Sequence, residues 1–353
     1  MGSMRALLMV EPGRLEMEEI PVPSVNPGWA LVRVVASAAG LFHSQMVKGM
    51  LDTKGFPRIL GHEIVGEVVE AHSPASPPPG TLVVGDAVVG CGVCEWCVRG
   101  DESVCPWMRH LGIDIDGGFS EFALVPEANI FPLPGDIDLR EAVMLSSALP
   151  CAVHAVRRTG VRSGDRVVVS GAGSIGFAVC QVARAFGATT IVAADVKDNQ
   201  LAAVSKFVDA TLNVAGMDPA EAGKALSALA GASHGVDVAF ETAGHIKSVE
   251  TTIKVLRPSG TTMLMGICDG PTSLTFQNYL GELVRRQLHL VTTFGFTRQD
   301  FLIGNRLYVA GRIDLTPLIG PTVGLDEIPQ TLDYIREHGT GGKRYVVNVG
   351  MPA

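Results

Sequence analysis

Residues 91–105 read CGVCEWCVRGDESVC, which places four cysteines at the spacing C-x2-C-x2-C-x7-C. These thiols are Cys91, Cys94, Cys97 and Cys105. Four thiolates in one short loop are typical of a structural zinc, whose closed tetrahedral ligand set leaves no open position for substrate or water. Two disulfides, or thiols without a shared role, are the alternative. Three ligands within seven residues, with no secretion signal ahead of them, favour zinc.

Length and composition indicate a two-domain globular enzyme. The 353 residues exceed the roughly 250–300 at which a single core stops growing, and 47% of them are hydrophobic. The net charge of -8 disfavours a nucleic-acid partner. No uninterrupted apolar run approaches the roughly 18 residues of a membrane span. Cytoplasm is the expected compartment, with Cys151, Cys180 and Cys268 as buried, reduced thiols.

The sequence pattern differs between the two parts of the chain. Up to about residue 146, short β-rich runs are broken by glycine and proline, which predicts a small, mostly-β barrel or sandwich. These runs are 30–35, 64–69 and 119–125. After residue 148, strands alternate with helices, which predicts a parallel, doubly wound α/β sheet. Its strands are expected at 166–170, 190–194, 236–240 and 261–266, and its helices at 174–186 and 199–208.

A glycine-rich turn lies between the first of these strands and its helix, where residues 171–176 read GAGSIG. In this G-x-G-x-x-G pattern, Gly171 permits the tight turn, Gly173 lets the backbone approach a pyrophosphate, and Gly176 lets helix and strand pack closely. Ser174 and Ile175 open the helix, whose N-terminal N–H groups favour an anion. The pattern therefore predicts a dinucleotide site.

The cofactor preference depends on Asp195, which ends the second strand 24 residues beyond Gly171. A carboxylate at this place binds the adenosine ribose hydroxyls and repels a 2′-phosphate, so NAD(H) is favoured over NADP(H). Lys197 lies close enough to keep NADP(H) open. The alternative role for Asp195 is that of a helix N-cap.

Together with GHEIVG at residues 61–66, these features resemble the medium-chain dehydrogenase/reductase superfamily, and within it the zinc-type alcohol and polyol dehydrogenases. The resemblance covers residues 4–349. It implies a GroES-like, mostly-β catalytic domain formed by residues 4–147 and 293–353, and a Rossmann domain formed by residues 148–292. It also implies an active site in the cleft between the domains, a small-molecule substrate, and a homodimer or homotetramer.

The sequence departs from this family at the catalytic zinc. Residues 40–45 read GLFHSQ, where the family has G-[IV]-C-[GH]-[ST]-D, so Phe42 stands at the position of the first ligand. The third ligand position falls on Ser146 or Ser147, and Gln45 replaces an aspartate that supports the site. These differences predict a protein without a catalytic zinc. The alternative is a rearranged site, in which Cys151 joins the remaining His62 and Glu63.

Without that metal, proton transfer must come from side chains. By their family positions, Ser44 and His43 match the proton relay, and His43 can also contact the cofactor pyrophosphate. The ordinary pKa of histidine suits a general acid. His62 and Glu63 form a second acid/base pair, although His62 can equally be a hydrogen-bonded core histidine. Activated C=C and C=N bonds need a Lewis acid least, and alcohol–carbonyl interconversion by side chains alone is the other reaction considered.

The remaining assignments also follow from family position. Phe42, Leu111 and Phe294, with Phe119, are expected to form an apolar pocket wall for a hydrophobic substrate, with core packing as the alternative. Thr292, with Thr293, is expected near the nicotinamide. Arg344 matches a basic position that reaches the pyrophosphate, and an exposed, solvated arginine is its alternative.

Three functions remain open on the sequence alone. The first is an NAD(P)(H)-dependent oxidoreductase with structural zinc only. The second is a zinc alcohol dehydrogenase with rearranged ligands. The third is a nucleotide-binding protein that has lost catalysis.

Overall fold

The computed structural model describes residues 2–49, 55–268 and 272–352. Its contacts divide the chain into two compact units. The first unit comprises Met1–Pro150, Gly295–Val309 and Leu315–Ala353. The second unit comprises Cys151–Phe294 and Ala310–Asp314.

The first unit is mostly β. Its strands are β1 (Ser3–Glu11), β2 (Arg14–Pro21), β3 (Trp29–Ala39), β4 (Arg58–Ile59), β5 (Ile64–Ala71), β6 (Leu82–Gly85), β7 (Val88–Val89), β8 (Arg109–His110), β9 (Phe122–Pro126), β10 (Ile130–Pro132), β17 (Ile319–Gly324) and β18 (Arg344–Asn348). The main sheet has the order β10-β6-β5-β3-β18-β17, with β9 also paired to β3. Smaller sheets are β2-β1-β4 and β7-β8. The β-branched side chains of Val32 and Val34 on β3 are buried in one hydrophobic core with residues of β5, β6 and β9, as the valine-rich run predicts.

The helices of the first unit are α1 (Leu41–Val47), α2 (Glu95–Arg99), α3 (Leu139–Leu145), α9 (Arg298–Val309) and α10 (Ile328–His338). A further helix, α4 (Ala148–Thr159), contains the boundary between the two units. Strand β18 pairs antiparallel with β3, so the end of the chain completes the sheet that the N-terminal part begins.

The second unit contains a six-stranded parallel sheet of order β13-β12-β11-β14-β15-β16. Its strands are β11 (Arg166–Ser170), β12 (Thr190–Asp195), β13 (Ala210–Asn213), β14 (Val236–Glu241), β15 (Leu256–Leu264) and β16 (His289–Thr292), and its helices are α5 (Ser174–Ala185), α6 (Asp198–Val204), α7 (Pro219–Leu229) and α8 (Ile246–Lys254). Valines 167–169 of β11 are fully buried because helices cover parallel sheets on both faces.

The expected fold class, a mostly-β domain with a Rossmann-like parallel sheet, is confirmed. Among the strands of the second unit, β15 differs most from its prediction, since it begins five residues before the expected 261 and ends at Leu264. It ends there because the N–H groups of Met265 and Gly266 donate to the carbonyl of Glu241 on the neighbouring strand. In the described ranges, no helix is long and apolar enough to cross a membrane.

Candidate active site

The glycine-rich turn joins β11 to α5 in the second unit. Gly171 has φ +105°, a conformation that only glycine adopts readily. A Cβ on Gly176 would overlap the carbonyl oxygen of Gly171, so this position also requires glycine. A Cβ on Gly173 would meet no atom within 4 Å, and no side chain caps the helix that begins after it. The turn thus leaves open space at a helix N-terminus, which fits a pyrophosphate.

Asp195 lies beside this turn at the end of β12. Its Oδ2 accepts a hydrogen bond from the N–H of Ala172 at 2.7 Å, and its Oδ1 accepts one from the N–H of Lys197 at 2.9 Å. Lys197, and not Asp195, is the N-cap residue of α6, so the alternative role of Asp195 as that N-cap is wrong. The carboxylate is held next to the glycine turn, where the adenosine ribose of a dinucleotide is bound in such folds.

Two more predicted residues lie near the end of the sheet. Thr292 is the last residue of the edge strand β16, and its carbonyl accepts a hydrogen bond from Arg158 Nε at 3.1 Å. Phe294, two residues later, is 52% exposed. Both therefore lie at the carboxyl end of a parallel strand. Open α/β sheets bind their ligands at this end of their strands.

In the first unit, five rings form an aromatic cluster. His43 and His62 stack with centroids 4.6 Å apart and an interplanar angle of 22°. Phe42 stands edge-on to His62 at 5.3 Å, and His110 approaches the same ring at 5.5 Å. Phe119 packs on His43 at 5.0 Å. The structure therefore brings the predicted residues Phe42, His43 and His62 together. His110 packs against His62, and Phe119 packs against His43.

The histidines of this cluster are uncharged at neutral pH. Burial lowers the pKa of His43 to about 3 and that of His62 well below its ordinary value of 6.5. Burial also lowers the pKa of His110. Neither ring nitrogen of His43, nor Nδ1 of His62, has a hydrogen-bond partner within the described part of the chain. The cluster therefore keeps hydrogen-bonding capacity that the protein itself does not use.

A buried ion pair lies next to His62 in the sequence. Arg344 Nε and Glu63 Oε1 are 3.4 Å apart, with side chains 10% and 0% exposed. Burial raises the pKa of Glu63, and the positive charge of Arg344 acts against that rise. A Cβ on Gly40 would overlap Arg344 Nη1, so glycine at this position makes room for the guanidinium. The alternative of an exposed, solvated Arg344 is wrong.

Other predicted residues lie away from the cluster. Ser44 Oγ donates to the carbonyl of Leu332 on α10 at 3.1 Å, so its hydroxyl points into helix packing and not towards the histidines. Leu111 is fully buried in the core, so packing is its role and it offers no surface to a substrate. Ser146 Oγ donates to the carbonyl of Val143 within the turn that ends α3.

The four predicted zinc ligands converge. Their sulfur atoms lie within 4.8 Å of one another, and Cys94 Sγ and Cys105 Sγ are 3.7 Å apart. Zn–S bonds of about 2.3 Å in a tetrahedron place sulfurs about 3.8 Å apart, so the geometry fits zinc. All four are free thiols and form no disulfide. Within the described residues, they are the one group of three or more such side chains arranged to hold an ion.

Sequence reasoning missed two residues that the structure brings to these sites. His110 joins the aromatic cluster, and Glu241 bonds the loop ends beside the glycine turn. The signal for Glu241 was present, because an acidic residue directly follows the predicted buried strand 236–240. His110 carries no local signal, since it reaches His62 from a strand 48 residues away.

Known proteins are similar to this chain over almost its whole length. Residues 26–135 match the family described as alcohol dehydrogenase GroES-like domain, and residues 174–306 match zinc-binding dehydrogenase. An L-threonine 3-dehydrogenase of Pyrococcus horikoshii is 30% identical over 353 residues, covering 96% of this chain and 97% of the relative. D-xylulose reductase A of Aspergillus niger is 29% identical over 348 residues, covering 95% and 94%. A crystal structure described as a zinc-binding dehydrogenase from Sinorhizobium meliloti, bound to NADP, has TM-score 0.89 at 26% identity and covers 99% and 100% of the two chains.

Proposed function

The chain belongs to the zinc-type alcohol and polyol dehydrogenases of the medium-chain dehydrogenase/reductase superfamily, and we propose that it works with a structural zinc only. It is an NAD(P)(H)-dependent oxidoreductase of small molecules. In the proposed reaction, hydride passes between the nicotinamide and an activated C=C or C=N bond, or an alcohol–carbonyl pair, with no catalytic metal.

The contact between Phe42 and His62 carries this proposal. At the position of the first zinc ligand, an all-carbon ring stands edge-on to the one histidine of the family's ligand set that remains, with centroids 5.3 Å apart at 85°. Two further observations support it. Glu63 faces the guanidinium of Arg344, and the hydroxyl of Ser146 is bonded to its own helix. With an all-carbon ring at the first position, a serine at the third and Glu63 paired with Arg344, these residues do not fit a catalytic zinc, which needs three protein ligands.

The side chains then have to stabilise the charge that develops on the substrate. The nicotinamide supplies the hydride chemistry. A neutral imidazole donates one N–H hydrogen bond and can polarise an oxygen, so His62 is proposed to hold the substrate oxygen, with His43 fixing its ring by stacking. Ser44 is left out because its hydroxyl is bonded to α10. Glu63 stays the candidate for proton exchange because burial raises its pKa.

For the cofactor, we propose NAD(H) in preference to NADP(H). The carboxylate of Asp195 lies beside the glycine turn and would repel a 2′-phosphate. The turn from Gly171 to Gly176 would receive the pyrophosphate, which would approach at Gly173, with Ser174 and Ile175 at the helix start. Lys197 keeps NADP(H) as the second possibility, and the Sinorhizobium relative was solved with NADP.

The proposal also includes partners and compartment. We expect a second copy of the chain as partner, in a homodimer or homotetramer, and a cytoplasmic location. The clustered thiols of Cys91, Cys94, Cys97 and Cys105 support a reducing compartment, where thiolates remain available to a metal.

Metal content tests the proposal directly. The purified protein is expected to hold close to one zinc per subunit by mass spectrometry, and Cys97→Ser should reduce this to near zero because three thiolates bind zinc less tightly. Close to two zinc ions per subunit would instead support a zinc dehydrogenase with rearranged ligands. Oxidation of NADH in a panel of enones, imines and aldehydes separates both from a non-catalytic protein, which would bind NADH and turn over nothing.

Phe42 gives a second prediction. Phe42→Ala is expected to raise KM for the best apolar substrate of the panel by about tenfold, because a pocket wall contact contributes on the order of 1–3 kcal/mol. Phe122→Ala is the matched control, since Phe42 and Phe122 are both partly buried and pack against the same hydrophobic core of the first unit. It should lower the melting temperature and leave KM unchanged. Unchanged kinetics in Phe42→Ala would mean that Phe42 forms no part of the pocket.

A further inference from the structure

A buried carboxylate with no part in the proposed chemistry ends strand β14. Glu241 is 1% exposed, and backbone N–H groups surround its carboxylate. Oε1 accepts hydrogen bonds from Ala243 at 3.0 Å and Gly244 at 2.9 Å, and Oε2 accepts one from Gly266 at 3.1 Å. One side chain thus joins the loop after β14 to the loop after β15.

These two loops approach each other at backbone distance. A Cβ on Gly266 would overlap both Gly244 N and the Glu241 carboxylate, and a Cβ on Gly244 would overlap the carbonyl of Ile267. Gly244 also has φ +70°, which favours glycine. The carboxylate therefore lies where the two loops come closest, and neither Gly244 nor Gly266 has room for a side chain there.

The next residue extends this arrangement to the glycine turn. Thr242 Oγ1 donates to the carbonyl of Gly171 at 2.7 Å, and a Cβ on Gly176 would lie 2.8 Å from the same hydroxyl. Strands β11, β14 and β15 are neighbours in the sheet. Three adjacent loops at their carboxyl ends are consequently held by Glu241 and Thr242, at the edge where such sheets bind nucleotides.

We propose that Glu241, together with Thr242, is a positioning residue that holds these three loops in the arrangement that receives the nicotinamide nucleotide. The inference rests on the proposed cofactor use. A carboxylate suits the role because it only accepts hydrogen bonds, whereas the amide of glutamine would turn a donor towards backbone N–H groups. Charge also strengthens each of the three bonds.

The opposite end of the same strand offers a matched control. Asp237 Oδ2 accepts a hydrogen bond from the N–H of Arg166 at 2.8 Å, and its Oδ1 accepts one from Arg257 Nε at 2.6 Å. It is thus a partly buried carboxylate that accepts from one backbone N–H and one arginine at the amino end of β14, away from the nucleotide edge. A purely structural role of Glu241 would make the two positions behave alike.

The test is NADH affinity by nicotinamide fluorescence at 20 °C, with the melting temperature measured in parallel. Glu241→Gln is expected to raise Kd for NADH at least tenfold, whereas Asp237→Asn lowers the melting temperature but leaves Kd within twofold of wild type. Thr242→Val, which removes the hydroxyl that bonds Gly171, should raise Kd for NADH severalfold. It tests the proposal on its own if Glu241→Gln does not fold. Wild-type Kd in either Glu241→Gln or Thr242→Val, or equal losses in Glu241→Gln and Asp237→Asn, would overturn the inference. If the wild-type protein itself binds neither NADH nor NADPH, the proposed function fails instead.

Discussion

Arg344→Met is expected to lower the free energy of unfolding at pH 7 by about 3–5 kcal/mol, because it leaves the carboxylate of Glu63 buried without its counter-charge. Glu63→Gln should cost less, because burial raises the pKa of Glu63 and so already disfavours its charged form in the folded state. The double variant should recover much of the loss, since it buries no unpaired charge. Urea denaturation of the four proteins, followed by circular dichroism, measures this cycle. Additive losses would show that the two groups do not interact.

An exposed ion pair of the same unit is the control for this cycle. Arg5 and Asp326 are paired with side chains 48% and 63% exposed, and Asp326→Asn is expected to cost less than about 1 kcal/mol. A loss as large as that of Arg344→Met would mean that burial is not the cause.

The same pair gives this prediction a pH dependence. Burial raises the pKa of Glu63 above its ordinary 4.5, so the folded state binds the proton more tightly than the unfolded state. Stability from this group is therefore present below pH 4.5 and is lost as the pH rises through its folded pKa. Arg344→Met removes the charge that limits the rise, so its destabilisation should grow as the pH rises above 4.5. Glu63→Gln should remove the part of the pH dependence of stability that comes from Glu63.

Gly173→Ala is expected to raise Kd for NADH at least 100-fold, about 2.7 kcal/mol, without loss of stability. Gly173 has φ -69°, which alanine adopts freely, and a Cβ there meets no protein atom within 4 Å. The methyl group would stand where the pyrophosphate approaches the helix N-terminus. The urea midpoint should stay at or slightly above that of wild type, because alanine restricts the unfolded chain.

Gly176→Ala is the comparison for this variant. Its Cβ overlaps the carbonyl of Gly171, so both stability and NADH affinity should fall. NADH titrations beside urea melts separate the two variants. If Gly173→Ala kept wild-type affinity, the pyrophosphate would not lie on this turn.

Patterns within one stretch of chain could be predicted. The strand at 166–170 agrees with β11, and the helix after it differs from α5 by one residue, because valine runs, glycines and helix starts act locally. The four cysteines converge for the same reason, since 15 residues of one loop hold them all.

Contacts between distant residues could not be predicted. Glu63 and Arg344 are separated by 281 positions, and they meet because β5, which follows Glu63, and β18, which begins at Arg344, both pair with β3. Ser44 kept the residue type expected of a proton relay, but a backbone carbonyl of α10 determines where its hydroxyl points. The burial that lowers the pKa of His43 likewise depends on packing, which its neighbours in sequence do not specify.

The antiparallel pairing of β18 with β3 has a consequence for synthesis of the chain. The ribosome releases residue 63 long before residue 344. The carboxylate of Glu63 therefore has no counter-charge until β18, which carries Arg344, has been synthesised. The continuous stretch of the second unit can fold meanwhile, because its six strands are made in one run. Newly made chains that have not yet released residues 344–348 should therefore expose the edge of β3 at residues 36–39 and depend on chaperones.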